Sequence, residues 1–107
     1  MGASKSDSFS EEQNKLASLF KALAHPARVA IIEYLLQVDT CICGDIVNEL
    51  PLAQPTVSQH LKELKTAGII KGTIEGTAIC YCLNPETLQL FEQYFFNISK
   101  QLKNKCC

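Results

Sequence analysis

One stretch, Asp45–Ile70 (DIVNELPLAQPTVSQHLKELKTAGII), constrains the fold more than any other part of the chain. It predicts two short helices joined by a tight corner. Ile46, Val47 and Leu50 share one side of the first. Pro51 ends it, because proline lacks an amide hydrogen and disfavours helix at the residue before it. Pro55 falls in the first turn of the second, where the missing hydrogen does no harm. Val57, Leu61 and Leu64 then recur at i, i+4 and i+7, which is one buried stripe. Gly68 closes the helix, as glycine does where the chain turns left-handed.

The opposite face of that second helix carries Gln54, Thr56, Ser58, Gln59 and His60 over its first turn and a half, with Lys62 one step on. These are short or forked hydrogen-bonding groups, mostly uncharged. A solvated helix face more commonly carries Glu and Lys. A set of this kind suits the reading of base edges in a major groove. It also fits an ordinary polar face after a helical corner, so the stretch alone leaves both readings open.

The length of 107 residues fits one domain. A hydrophobic fraction of 47% with 20% charged residues describes a globular chain. Apolar runs fall short of the ~18 residues that span a bilayer, and no signal-peptide pattern appears, so a cytoplasmic protein without a membrane partner is expected. The net charge of −1 argues against nucleic acid, but the charge is uneven. Residues 1–50 hold 4 basic and 7 acidic groups, and residues 51–107 hold 6 and 4. The half with the candidate reading helix is the basic one.

Residues 1–8 are small and polar and are expected to form a disordered tail. The domain is expected over 9–104, with a cysteine-bearing tail at 105–107. Ser10 and Gln13 make a capping box for a first helix whose apolar face holds Leu16, Leu19, Phe20 and Leu23. Pro26 opens a second helix, with Val29, Ile32, Leu35 and Leu36 as its expected inner face. His25 is expected at the corner between them, and Arg28 in a tie between helices or in water. From Ile70 the period changes from helical to alternating. Ile70, Gly72 and Ile74, then Ile79, Tyr81 and Leu83, predict a two-stranded hairpin around Glu75-Gly76. Asn84 and Pro85 cap a last helix to about Asn104. Its residues Leu88, Phe91, Phe95, Ile98 and Leu102 step by 3, 4, 3 and 4, a coiled-coil-like seam. With Leu16 and Phe20 of the first helix, that seam predicts a two-fold homodimer. Folding of the last helix back on the first is the alternative.

The segments KALAHPARVAIIEYLL, CICGDIV, LAQPTVSQHLKELKTAGII and AICYCLNP, taken together, resemble the ArsR family of winged helix-turn-helix repressors over residues 14–100. The resemblance implies a mainly α fold with a small β-hairpin, in the order helix-helix-helix-helix-hairpin-helix. It implies a homodimer on double-stranded operator DNA, released by an inducer. The helix at Pro55–Ala67 would enter the major groove, and the 70–83 hairpin would be the wing, contributing Lys71. Cys41-Ile42-Cys43 stands where arsenic- and lead/cadmium-sensing members carry Cys-Val-Cys. The sequence departs from the arsenical pattern at Ile46, where a third cysteine would stand. It departs from zinc- and nickel-sensing members in a last helix without histidine, and from the family's wing in lacking arginines.

Six cysteines come as Cys41/Cys43, Cys80/Cys82 and Cys106/Cys107. Close neighbours of this kind make poor disulfide partners for each other, and clustered thiols in a cytosolic chain point to metal or redox chemistry. Cys41 and Cys43 are expected just before or at the start of the third helix, where a thiolate is favoured. Cys106 and Cys107 are expected to supply a third thiolate, from this chain or its partner, with an unstructured tail as the alternative. Cys80 and Cys82 read as surface-strand residues, one of which completes a site only if the tail does not. The chain offers no phosphate-binding glycine loop and no catalytic pairing for His25 or His60, so no enzyme and no organic cofactor are expected. The expected function is a transcriptional repressor released by a thiophilic inducer, trivalent arsenic or antimony above others. The rivals are a thiol-redox or persulfide-responsive repressor and a winged-helix protein–protein module with structural cysteines.

Overall fold

In the computed structural model, the described residues are 8–38, 42–43, 50–75 and 78–105, with the side chains of 42, 43, 74, 75 and 78 excepted. The first helix, α1 (Glu11–Leu23), starts on the expected capping box. The Ser10 hydroxyl accepts from the Gln13 amide at 3.1 Å, and the Gln13 side chain accepts from the Ser10 amide at 3.0 Å. Helix α2 (Pro26–Gln37) starts on His25, whose Nδ1 accepts from the Ala27 amide at 3.0 Å. The corner residue therefore does the work of a cap.

The expected inner face of α2 is only half right. Ile31 and Leu35 are buried, while Val29 and Leu36 are exposed. Apolar residues run nearly all round this helix (VAIIEYLL), so periodicity could not choose a face, and the packing of neighbours did.

The predicted short helix over 45–50 lies outside the described residues, apart from Leu50, which packs against the core. Helix α3 (Gln54–Thr66) follows, with Pro55 in its first turn as expected. Val57, Leu61 and Leu64 are fully or nearly fully buried, which confirms the stripe. Gly68 has φ +81°, the left-handed conformation that ends the helix without a Cβ penalty.

Strands β2 (Ile70–Glu75) and β3 (Ala78–Leu83) form the expected antiparallel hairpin. The sheet has a third strand that the sequence reading did not foresee. β1 (Ile42–Cys43) pairs antiparallel with β3, so the order is β1-β3-β2 with β3 central. Cys43 thus lies in a strand, while Cys41 and the start of the third helix that the two were expected to precede or open lie outside the described residues.

The last helix, α4 (Pro85–Leu102), is capped by the Asn84 side chain, which accepts from the Glu86 amide. Asn84 also donates its side-chain amide to the Gly68 carbonyl and its backbone amide to the Ile69 carbonyl. One residue therefore clamps the start of α4 to the turn that follows α3.

The core gathers Leu19 and Ala22 of α1, Ile31 and Leu35 of α2, and the α3 stripe. Ile69, Ile70 and Phe91 complete it. Phe91 was expected in a dimer seam but is 8% exposed within this chain, its ring tilted against Phe20 with centroids 5.1 Å apart. The seam divides because α4 outruns the core. Its first two turns rest on the other helices, whereas every residue from Glu92 to Leu102 is exposed. Among the described residues, no helix is long and apolar enough to cross a membrane.

Candidate nucleic-acid interface and thiol site

The polar face of α3 is displayed as the sequence predicted, with one exception. Gln54, Thr56, Ser58, Gln59 and Lys62 are exposed, and so is Lys71 on β2. Gln59 donates its side-chain amide to Glu63 at 3.1 Å, one turn further along. Side-chain caps satisfy the first turns of α1, α2 and α4, but Ala53 gives α3 none. The start of α3 therefore keeps its positive dipole end open to an anion.

The exception is His60. It was expected to donate to DNA, but it is 7% exposed and turned into the protein. Its ring lies 4.3 Å from the ring of His25. Arg28 donates from Nε to His60 Nδ1 at 3.1 Å and from Nη1 to the Ala22 carbonyl at 2.9 Å. Burial, with the charges of His25 and Arg28 beside it, pushes the His60 pKa below its ordinary value, against a smaller opposite pull from Glu63. His60 follows Gln59 by about 100° around the helix, which carries it off the exposed face to the edge of the Val57–Leu61–Leu64 stripe. Its hydrogen-bonding capacity satisfies Arg28 instead of a base.

Lys65 was overlooked in the sequence. A Cβ built on Gly72 would stand 3.2–3.3 Å from Lys65 Cδ, Cε and Nζ. The lysine side chain thus lies directly over β2 and holds a positive charge between α3 and the hairpin. A glycine in the middle of a strand is the available signal, since it marks close approach of another group.

The cysteines of β3 keep their expected strand and face, but Cys80 is buried. β1 register sets Cys43 opposite Cys80, and Thr73 of β2 flanks Cys80 on the other side. Cys80 is 1% exposed, so it is no surface-strand residue, and Cys80 and Cys82 are both disulfide-bonded. Tyr81 and Leu83 turn toward the core, leaving Cys80 and Cys82 on the other face as expected. Among the described residues, no three His, Cys, Asp or Glu side chains gather into a metal site. Cys106 and Cys107 lie outside the described residues. The donor chemistry on offer is sulfur, which suits soft ions and discriminates against magnesium and calcium.

On α4, Phe95 (53% exposed), Ile98 and Leu102 form an apolar strip with Tyr94 and Leu90. Phe20 of α1 touches Phe91, Tyr94 and Phe95 edge-on or tilted. Leu16 and Leu19 of α1 line an open groove of about 320 Å³ against Leu90 and Tyr94.

Comparison with known proteins agrees with this arrangement. Residues 25–71 match the family model described as bacterial regulatory protein, arsR family. The chain is 44% identical over 68 residues to the HTH-type transcriptional regulator MJ1325 of Methanocaldococcus jannaschii, covering 63% of this chain and 75% of that one. It is 43% identical over 65 residues to the HTH-type transcriptional repressor SmtB of Mycobacterium tuberculosis, covering 61% of this chain and about half, 47%, of that protein. It is 36% identical over 95 residues to a cadmium resistance transcriptional regulatory protein CadC homolog of Staphylococcus aureus, 87% of this chain and 78% of that one.

Among solved structures, an ArsR family transcriptional regulator superposes with TM-score 0.78 at 18% identity, over 92% of this chain and all of that one. A homodimeric winged helix-turn-helix DNA-binding domain of Mycobacterium bovis gives TM-score 0.65 at 23% identity, over 92% and 95%. These two likenesses bear on the fold alone. The sequence matches and the wing-bearing helical architecture together establish that the chain belongs to the ArsR family, whose members are DNA-binding transcriptional regulators.

Proposed function

We propose that this regulator is a homodimeric repressor that holds its operator with α3 in the major groove and leaves it when a thiophilic inducer binds. The observation that carries the DNA half is the exposed, uncapped start of α3, with Gln54, Thr56, Ser58 and Gln59 on one face and Lys62 beside them. Gln59 suits a base edge, and Thr56 and Ser58 suit phosphates or bases near the helix start. Lys65 and Lys71 bring charge from the groove helix and the wing to the backbone of the duplex. A two-fold pair is favoured by the apolar strip Phe95, Ile98 and Leu102, an unusual exposure for a lone soluble chain.

The inducer half rests on chemistry. Cys41 and Cys43 supply two soft donors, and trivalent arsenic or antimony asks for a third sulfur. The relative from Staphylococcus aureus named for cadmium resistance supports a soft ion of this kind. The energetic demand is modest. A hundredfold loss of operator affinity needs the ion to prefer the DNA-free form by ~2.7 kcal/mol. A second reading, release by thiol oxidation or persulfides, draws support from the disulfide bonding of Cys80 and Cys82.

The test measures binding of the reduced protein to the DNA upstream of its own coding sequence, with arsenite, antimonite, cadmium, lead, zinc and polysulfide each added in turn. Release by arsenite, antimonite or another soft ion supports the first reading, and release by polysulfide alone supports the second. No binding to DNA by the untreated protein would refute both.

A further inference from the structure

We propose that Glu63 sets the base choice of Gln59: by holding one amide hydrogen of that glutamine, it makes Gln59 a reader of adenine and bars guanine. The inference rests on the reading of α3 as the groove helix and deepens it, since it gives that face a positioning residue and a base.

One bond is the starting point. Gln59 donates from Nε2 to Glu63 Oε1 at 3.1 Å, and both side chains are exposed. Gln59 follows Val57 by about 200° around α3, so it stands almost opposite the buried stripe, near the middle of the displayed face. Glu63 comes four residues later and lies on the same side of the helix.

The chemistry of the pair fixes its direction. An ionised carboxylate accepts hydrogen bonds and donates none, so the end of the amide at Glu63 is its nitrogen. A glutamine without such a neighbour turns its amide over easily, because its terminal torsion is broad and roughly two-fold. It can then offer a groove two donors, or an acceptor with a donor. Held by Glu63, Gln59 keeps its oxygen and a single N–H. Adenine presents an amino donor and the N7 acceptor, which match that oxygen and that N–H. Guanine presents two acceptors, N7 and O6, and one of them would meet the Gln59 oxygen.

Charge points the same way. Glu63 places a carboxylate beside Lys62 on the face that would approach DNA, where it repels phosphate. Repulsion of that kind weakens binding to every sequence alike, whereas the bond to Gln59 separates one sequence from another. A bond to a carboxylate is among the stronger kinds, and it strengthens further where a groove excludes water.

Binding-site selection, followed by titration of single-base variants of the selected duplex, tests the assignment. The full-length proteins are wild type, Glu63→Ala, Glu63→Gln, Gln59→Ala and the double variant Gln59→Ala/Glu63→Ala. Both positions are exposed, and circular dichroism checks that each variant is folded. At the base pair that Gln59→Ala relaxes, wild type should prefer A·T to G·C about tenfold. Glu63→Ala should bring that preference close to nil, while affinity for the best site holds or rises as a negative charge is lost. Glu63→Gln should do the same, because a glutamine there donates as well as accepts and holds neither end of Gln59. In the Gln59→Ala background, loss of Glu63 should leave base preference unchanged.

An intact preference in Glu63→Ala would overturn the assignment and leave the bond as a contact that only steadies the helix. A wild-type preference for G·C at that position would overturn it as well. So would a changed preference when Glu63 is removed from the Gln59→Ala protein, because Glu63 would then touch a base itself. If wild type selects a site but Gln59→Ala relaxes no position, the groove-helix reading stands and the assignment falls. If wild type binds no duplex, the groove-helix reading falls with it.

Discussion

Arg28 donates from Nε to Nδ1 of His60 across 3.1 Å, tying α2 to the helix that presents the polar face. The bond requires an unprotonated Nδ1, so the neutral imidazole is the form built into the fold. The lowered pKa of His60, set first by burial and then by His25 and Arg28, states the same preference.

Stability should therefore depend on this one ring in acid. The folded pKa lies below the unfolded value of 6.5, so below that value the unfolded chain binds more protons. The contribution is fully present above 6.5 and is lost as pH falls. The melting temperature should drop between pH 7 and pH 5, and His60→Gln should flatten that part of the profile. Equal slopes for wild type and variant in thermal denaturation would refute the role given to His60. Arg28→Ala should cost about 1–3 kcal/mol at neutral pH, because it strands a buried acceptor and the Ala22 carbonyl.

Base recognition should follow Gln59 and not His60. Gln59→Ala should weaken operator binding by about 1–3 kcal/mol and relax preference at one base pair. His60→Gln should leave base preference unchanged. Binding-site selection with each variant checks both statements, and a preference altered by His60 alone would reverse the assignment.

Phe95→Glu should convert a dimer to a monomer without unfolding it. Phe95 is 53% exposed in the single chain, so the charge costs little there, but it is costly inside an apolar seam. Sedimentation at micromolar concentration and circular dichroism together read the outcome. A wild-type protein that sediments as a monomer would remove the basis for the seam.

Gly68→Ala should destabilise the protein by roughly 1–2 kcal/mol through the backbone alone. The added Cβ would meet only Thr87 Oγ1 at 3.6 Å, an ordinary contact, while φ +81° disfavours any L side chain. Gly72→Ala tests a different thing. Its Cβ would press on Lys65 at 3.2–3.3 Å, so the lysine should move aside with little loss of stability but weaker, less salt-dependent operator binding. Urea denaturation and a salt series on DNA binding separate the two effects.

Much of this molecule is written in short-range terms. Ser10 with Gln13, Asn84 with Pro85, and Pro55 with Gly68 mark helix ends through contacts a few residues apart, so they are legible one residue at a time. The hairpin is legible too, because alternation needs only a strand and its neighbour. The exposed polar face of α3 follows from the buried stripe behind it. Tertiary structure decided the rest. His60 turns inward because Arg28, 32 positions earlier, arrives on α2 to bond it. Ile31 rather than Val29 faces the core because α2 is apolar nearly all round and its neighbours choose the side. Phe91 is buried and Phe95 exposed because the core ends between them, although both fit one heptad seam. Cys43 meets Cys80 because a two-residue strand joins the sheet from 37 positions away. Such a short strand has too little periodicity to be seen in a sequence, and its partner is set by where the intervening helix lands the chain.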